Sequence, residues 1–396
     1  MPKLTRKTYD QRLTSMRSLM EQSRLDALIF TSADFFQWAT NFHVDVQTWE
    51  RPIFVVVPLT GAPFAVMNEL STSHMRFAKE RNTVWLEDVA YYLEHPRVTD
   101  RMPLVTELPE MVAARLRSAG LSASRIGVDA MSSPLAKAAA LLPDAKIVSM
   151  TAPLRSLRWV KNDEELEVMR AACSLSDWIQ ERYRENIRPG RLVQELDYQM
   201  ASLMVEEGAR RFPGENLEVL RCWTLSGPAS ASPHGDGASC GARISAGDGL
   251  VNIVIPRLNG IVIENERTWF CGKPNAEQAR FYEVARAANA AALDAAVTGA
   301  PVSGIDAAAQ AVIEKADCGQ YIRHRTGHGM GIMGHEYPED MAFNHRPLQT
   351  GEVYSAEPGI YVFGLGGFRL DDSVVVGPTP EVMTTTPKTL EYATIN

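Results

Sequence analysis

Near residue 160 the chain changes its pattern, and that change limits it to folds built as two halves. Before it, helix-like and strand-like segments alternate. Residues 7–24 carry Tyr9, Leu13, Met16 and Met20 at helical spacing, and residues 26–31 then read as a buried strand. Residues 53–58 and 64–67 flank a Thr60-Gly61 turn, which predicts a hairpin. Residues 103–120 read as a helix closed by Gly120, residues 125–129 as a strand, and the alternation continues through 135–142 and 145–149. At the change itself, Asn162 stands where an N-cap belongs, and Asp163, Glu164 and Glu165 suit the positive end of a helix dipole. The helix they open carries Leu166, Met169, Cys173 and Ile179, is broken by Pro189-Gly190, and is followed by a second helix over 192–207. Beyond it, strands mix with helices. Residues 250–255 and 260–270 read as strands around an Asn259-Gly260 turn, and 276–297 and 302–316 as helices. From about residue 321, short apolar runs alternate with glycine-rich turns. A chain of 396 residues exceeds one ordinary core. The expected domains are therefore an α/β half over 1–154 and an α+β half over 155–396.

Composition narrows the function classes. Lys and Arg are scattered and the net charge is −8, so no basic stripe offers itself to nucleic acid. No apolar run reaches the roughly 18–20 residues of a membrane span, and the start, Met1-Pro2-Lys3-Leu4, opens no signal-peptide core. Five dispersed cysteines, none in a CxxC pair, predict free thiols and a cytoplasmic location.

The residues suited to chemistry gather in the second half. Four of the eight histidines lie between His324 and His345, and three glycines surround one of them in Thr326-Gly327-His328-Gly329-Met330-Gly331. Glycines on both sides of a histidine suggest backbone passing close to a ligand. His335-Glu336 follows, then Glu357-Pro358-Gly359 and the run from Gly366 through Arg369 to Asp371-Asp372. Upstream, Glu264-Asn265-Glu266 puts two acids on one face of a strand, and Ser226-Gly227-Pro228 leads to a loop His234.

In order and spacing these segments resemble the creatinase, prolidase and aminopeptidase P family. The resemblance is carried by Trp159-Val160-Lys161-x-x-x-Glu165, Ile187-x-Pro189-Gly190, Ser226-Gly227 with His234, Gly247-Asp248, Glu266-Arg267-Thr268 and Gly327-His328-Gly329. It continues through His335-Glu336-x-Pro338, Glu357-Pro358-Gly359 and Gly367-x-Arg369. It covers residues 155–391 closely and the first half more loosely. The resemblance implies a creatinase-type N-terminal domain and a C-terminal pita-bread catalytic domain. It also implies a hydrolase acting on a small-molecule substrate, without nucleic-acid or membrane partners.

Two branches of that family make different demands. The metallopeptidases use two aspartates, a histidine and two glutamates. Mapped by spacing, the first aspartate falls on Ile253, which cannot bind a metal, and the rest on Glu264, His328, Glu357 and Asp371. A dinuclear site is thereby excluded. No cofactor is favoured, and the remaining four residues make a candidate site for one divalent transition metal such as Mn, Zn, Fe or Co. In the metal-free branch, that of creatinase, a loop histidine moves the proton and two glutamates hold a guanidinium. Those positions match His234, Glu266 and Glu357. The family resemblance as a whole adds His328 and the peptidase-like His335 to the catalytic candidates and Arg369 to the substrate-binding ones. The creatinase branch also implies a homodimer with shared active sites, each taking Trp49 and Arg51 from the partner chain to bind substrate. A second carboxylate-binding arginine of creatinase is replaced by Glu339, which disfavours creatine.

The favoured expectation is hydrolysis of an amide, amidine or guanidine-like C–N bond, metal-independent or with a single metal. The alternative is a metal-dependent Xaa-Pro dipeptidase or aminopeptidase. The third reading is a non-catalytic binding module on the same fold.

Overall fold

A computed structural model describes residues 1–94, 107–235, 241–337 and 341–396. The chain forms two compact units, Leu4–Leu157 and Arg158–Asn396, with Met1–Lys3 joining the second. Pro338, Glu339, Cys240 and the start of the helix expected over 103–120 lie outside the described residues. Among the described residues no helix is long and apolar enough to cross a membrane.

In the first unit the strands are β1 (Ala27–Phe30), β2 (Phe54–Pro58), β3 (Phe64–Asn68), β4 (Asp88–Tyr92), β5 (Arg125–Val128) and β6 (Lys146–Ser149). They make one sheet in the order β4-β3-β2-β1-β5-β6. The β2–β3 hairpin is antiparallel as expected, while β1 pairs with β5 in parallel. The run Ala-Leu-Ile-Phe of β1 is buried throughout, as suits a central strand with both faces covered. Strand β4 has no counterpart in the sequence reading, because its residues Asp88–Tyr92 follow no clear alternation.

The second unit opens with the helix Asp163–Asn186, whose capping box is complete. Asn162 accepts from the Glu165 amide at 3.0 Å, and Glu165 accepts from the Asn162 amide at 2.8 Å. The helix buries Leu175, Ile179 and Tyr183 in a core shared with Leu250, Val254, Trp269 and Phe270 of the sheet beside it. Each such side chain contributes roughly 1.5–3 kcal/mol when buried.

That sheet contains β7 (Leu217–Ser226), β8 (Gly249–Leu258), β9 (Ile261–Val262) and β10 (Asn265–Cys271). The strand expected over 260–270 is interrupted between β9 and β10. The register on β8 is unchanged across the gap, with Arg257 opposite Val262 and Val254 opposite Asn265. The break falls opposite Pro256, which has no N–H to return to Ile263. Strand β7 was not legible in the sequence. A bulge between Val219 and Arg221 shifts its register and spoils its alternation.

The short strands that follow include β11 (Val353–Ala356), β12 (Gly359–Val362), β13 (Gly366–Arg369) and β14 (Asp372–Val375). β11 pairs with β14 and β12 with β13. A single bridge between Glu266 and Asp371 stitches this region to β10.

Candidate active site

The glycine-flanked histidine has a steric reason. A Cβ on Gly327 would lie 1.9 Å from the Ser355 carbonyl oxygen, and one on Gly329 would lie 2.5 Å from that of Tyr337. Only glycine lets the chain pass there and bury His328. Its Nδ1 lies 3.0 Å from the Gly329 carbonyl, which assigns the proton to that nitrogen. Nε2 then faces Glu357 at 3.3 Å and Glu264 at 3.6 Å, with no aligned hydrogen-bond partner.

Four carboxylates converge on this imidazole. Glu264 lies in the break between β9 and β10, Glu266 lies on β10, Glu357 lies between β11 and β12, and Asp371 precedes β14. Ligand atoms of Glu264, His328 and His335 lie within 4.8 Å of one another, and so do those of Glu266, Glu357 and Asp371. The structure thus adds His335 and Glu266 to the four residues mapped by spacing. The His335 ring stacks on that of His328 at 3.8 Å.

The charge state of the cluster follows from its burial. Burial pushes the Glu266 carboxyl up to about 8, against the pull of Arg369. Burial raises Asp371 well above the usual range, and its neighbours Glu357, Glu266 and Glu264 add to that. Burial would also raise Glu357, but His328, 3.3 Å away, outweighs it and holds this carboxyl at about 2. Burial lowers His328, but Glu264 and Glu357 together carry it well above an ordinary histidine. Concentrated negative charge with few buried cations is costly. The Asp371 Oδ2 atom is buried without a hydrogen-bond partner. Together with the open His328 Nε2 it fits a divalent transition metal in an N/O donor set.

Arg369, expected to bind substrate, is committed within the protein. It donates to Glu266 Oε1 at 3.0 Å, to the Pro233 carbonyl at 2.9 Å and to the Tyr361 hydroxyl at 2.9 Å. Its grip on Pro233 fixes the loop that presents exposed His234. Two neighbours were missed by sequence reasoning, His324 and Tyr361, whose Nε2 and hydroxyl lie 2.6 Å apart. A usable signal was their offset, four residues before His328 and four after Glu357. Together His324, Tyr361, Arg369 and Glu266 form one polar chain.

A cavity of about 730 Å³ is lined by His234, Glu264, Glu266, His324, His335, Glu357 and Arg369. Trp49 and Arg51 belong to the other unit. Trp49 is 81% exposed there. Arg51 donates to both oxygens of Glu94, at 2.8 and 2.6 Å, and also pairs with Glu50.

A buried imidazole among four carboxylates, beside a cavity of ligand size, is the site of a hydrolase. Residues 167–378 match metallopeptidase family M24, and residues 12–160 match the creatinase/prolidase N-terminal domain. The chain belongs to the creatinase, prolidase and aminopeptidase P family, with a creatinase-type N-terminal domain and a pita-bread catalytic domain. It is 30% identical over 370 residues to YkvY of Bacillus subtilis, which carries a dipeptidase name, spanning 92% of this chain and 94% of that one. It is 31% identical over 223 residues to the Xaa-Pro dipeptidase of Pyrococcus furiosus, spanning 56% of this chain and 62% of that one. The crystal structure of dipeptidase PepE from Mycobacterium ulcerans superposes with a TM-score of 0.81 at 27% identity, covering 99% of both chains.

Proposed function

We propose that this hydrolase cleaves the amide bond of a short peptide, as a metal-dependent dipeptidase related to the Xaa-Pro type. The observation that carries the reading is His328 Nε2, held open among Glu264, Glu357 and His335 beside the partnerless Asp371 Oδ2. The relatives' names support this alternative over the metal-independent amidine or guanidine chemistry favoured by the sequence. Glu264, His328, Glu357 and Asp371 would hold one divalent ion, with His335 at its edge. When bound, such an ion polarises the carbonyl of the scissile bond. His234, on its loop at the cavity, protonates the leaving nitrogen. Arg369 fixes Glu266 so that this acid points into the cavity rather than away from it.

One observation favours a second reading. Ile253 removes the acid that a second ion needs, and Glu266 with Glu357 would still clamp a delocalised cation without any metal. Chelation separates the two. The expected result is hydrolysis of Xaa-Pro or other dipeptides that stops on chelation and returns with Mn²⁺, Zn²⁺, Fe²⁺ or Co²⁺, at no more than one ion per chain. Unchanged turnover after chelation overturns the metal reading, and two tightly held ions per chain overturn the ligand assignment.

The proposal includes a cytoplasmic homodimer in which Trp49 and Arg51 reach the partner's active site. Exposed Trp49 supports that assignment, whereas the pairing of Arg51 with Glu94 means that Arg51 must exchange partners to grip a substrate carboxylate.

A further inference from the structure

Apart from the main core, five buried residues form a separate apolar cluster: Leu225, Val251, Ile253, Ile255 and Val262, with Trp223 packed against it. Of these, Trp223, Ile253, Ile255 and Val262 line the same cavity as the acids. The strand register explains the meeting of two opposite chemistries. In one row across the sheet, Asp371 bridges to Glu266, Glu266 lies opposite Ile253, and Ile253 lies opposite Trp223. Directly paired residues on one sheet face hold their Cβ atoms about 4.5–5.5 Å apart. The carboxylates therefore give way to an apolar wall within a single strand spacing.

That wall constrains what can lie beside the reacting bond. A polar group pressed against it loses its water and gains no hydrogen bond. An apolar side chain gains from the same burial. A cavity of about 730 Å³ has room for both residues of a dipeptide. The position of Ile253 matters most, because the spacing that places the other ligands would put a carboxylate there in a dinuclear relative.

We infer that Trp223, Ile253, Ile255 and Val262 form a specificity wall that receives an apolar side chain, branched aliphatic or aromatic, on a residue flanking the scissile bond. This inference rests on the peptidase reading above and names its substrate class.

The test uses the full-length protein with added Mn²⁺ and two dipeptide pairs, Leu-Ala against Ser-Ala and Ala-Leu against Ala-Ser. Both kcat/KM and calorimetric Kd are measured. At one of the two positions the leucine peptide is favoured on the order of 10- to 100-fold. Ile253→Thr and Ile255→Thr, which keep a β-branched side chain in the strand, each shrink that ratio by roughly tenfold, while Ile253→Val retains it. Leucine-selective binding without turnover upholds the wall and overturns the peptidase reading. Turnover with no leucine preference at either position overturns the wall and leaves the peptidase reading standing. A preference that survives both threonine substitutions, or the absence of any binding, also overturns the wall. If the threonine variants do not fold, the wild-type panel alone decides.

Discussion

Arg267 offers a sharp test of how the site is held, because its side chain never enters the cavity. It is buried at 1% exposure, and the carboxylate it pairs with, Asp372 at 2.8 Å, is fully buried. The same guanidinium donates to the backbone carbonyls of Glu266 and Asp371, each at 2.8 Å, and to that of Thr386 at 3.1 Å. Arg267 therefore ties together the backbones of two of the clustered acids. Removing one member of a buried ion pair costs about 3–5 kcal/mol. Two features place Arg267→Met near the lower end. Asp372 keeps Lys388 and the Thr384 hydroxyl, and the two carbonyls keep the amides of Asp371 and Glu266 at 3.0 and 3.2 Å. Methionine also refills much of the volume of the arginine stem. The expected loss is about 3 kcal/mol, read as a shift in the denaturant midpoint of the second unit.

The pairing also has a pH signature. Burial would raise the Asp372 carboxyl, but Arg267 and Lys388 hold it at about 2. A depressed acid contributes stability in full above its ordinary value of 3.8, and loses it as the pH falls through about 2. In Arg267→Met the acid limb of the stability curve should move to higher pH. A double-mutant cycle with Asp372→Asn should return a coupling above about 1 kcal/mol. A cost under about 1 kcal/mol, or the same cost in both backgrounds, would refute the argument that this pair braces the acids.

Three further predictions follow from other parts of the molecule. His234→Ala should lower kcat by roughly 10²–10⁴ with the thermal midpoint preserved; near-normal kcat reassigns the proton transfer. Asp197 is pushed up to about 6 by burial, against hydrogen bonds from Thr224 and Tyr183. This raised acid contributes stability in full below 3.8 and loses it as the pH rises through about 6, up to roughly 3 kcal/mol. The stability of wild type relative to Asp197→Asn should therefore fall between pH 4 and 7, and a flat difference contradicts the burial argument. Mixing Arg51→Ala with His234→Ala chains under subunit exchange should restore up to about a quarter of wild-type activity. No recovery, with both parents inactive and exchange shown by mass labelling, removes Arg51 from the partner's site.

What the sequence made legible was the set of residues whose local backbone is demanding. Gly327 and Gly329 mark His328 because no side chain fits beside Ser355 and Tyr337, so a steric fact about the fold is written as a short motif. Glu357 and Asp371 were legible by their spacing from that histidine. Residues whose roles depend on contacts far along the chain left no such mark. Arg369 reads as a substrate ligand from Gly367-x-Arg369, yet its partners are Glu266, over a hundred residues away, and the Pro233 carbonyl. Arg51 reads as a substrate ligand lent to the partner chain, while Glu94 occupies it from 43 residues away. The gap after β9 was invisible for a related reason, since Pro256 acts on the strand opposite its own. Glu264 emerges at that gap, and Glu266 stands in the row that runs on to Ile253 and Trp223. The same interruption that obscured the strand thus places two acids on the cavity and sets an apolar residue beside them, which joins the metal question to the substrate question at a single position, Ile253.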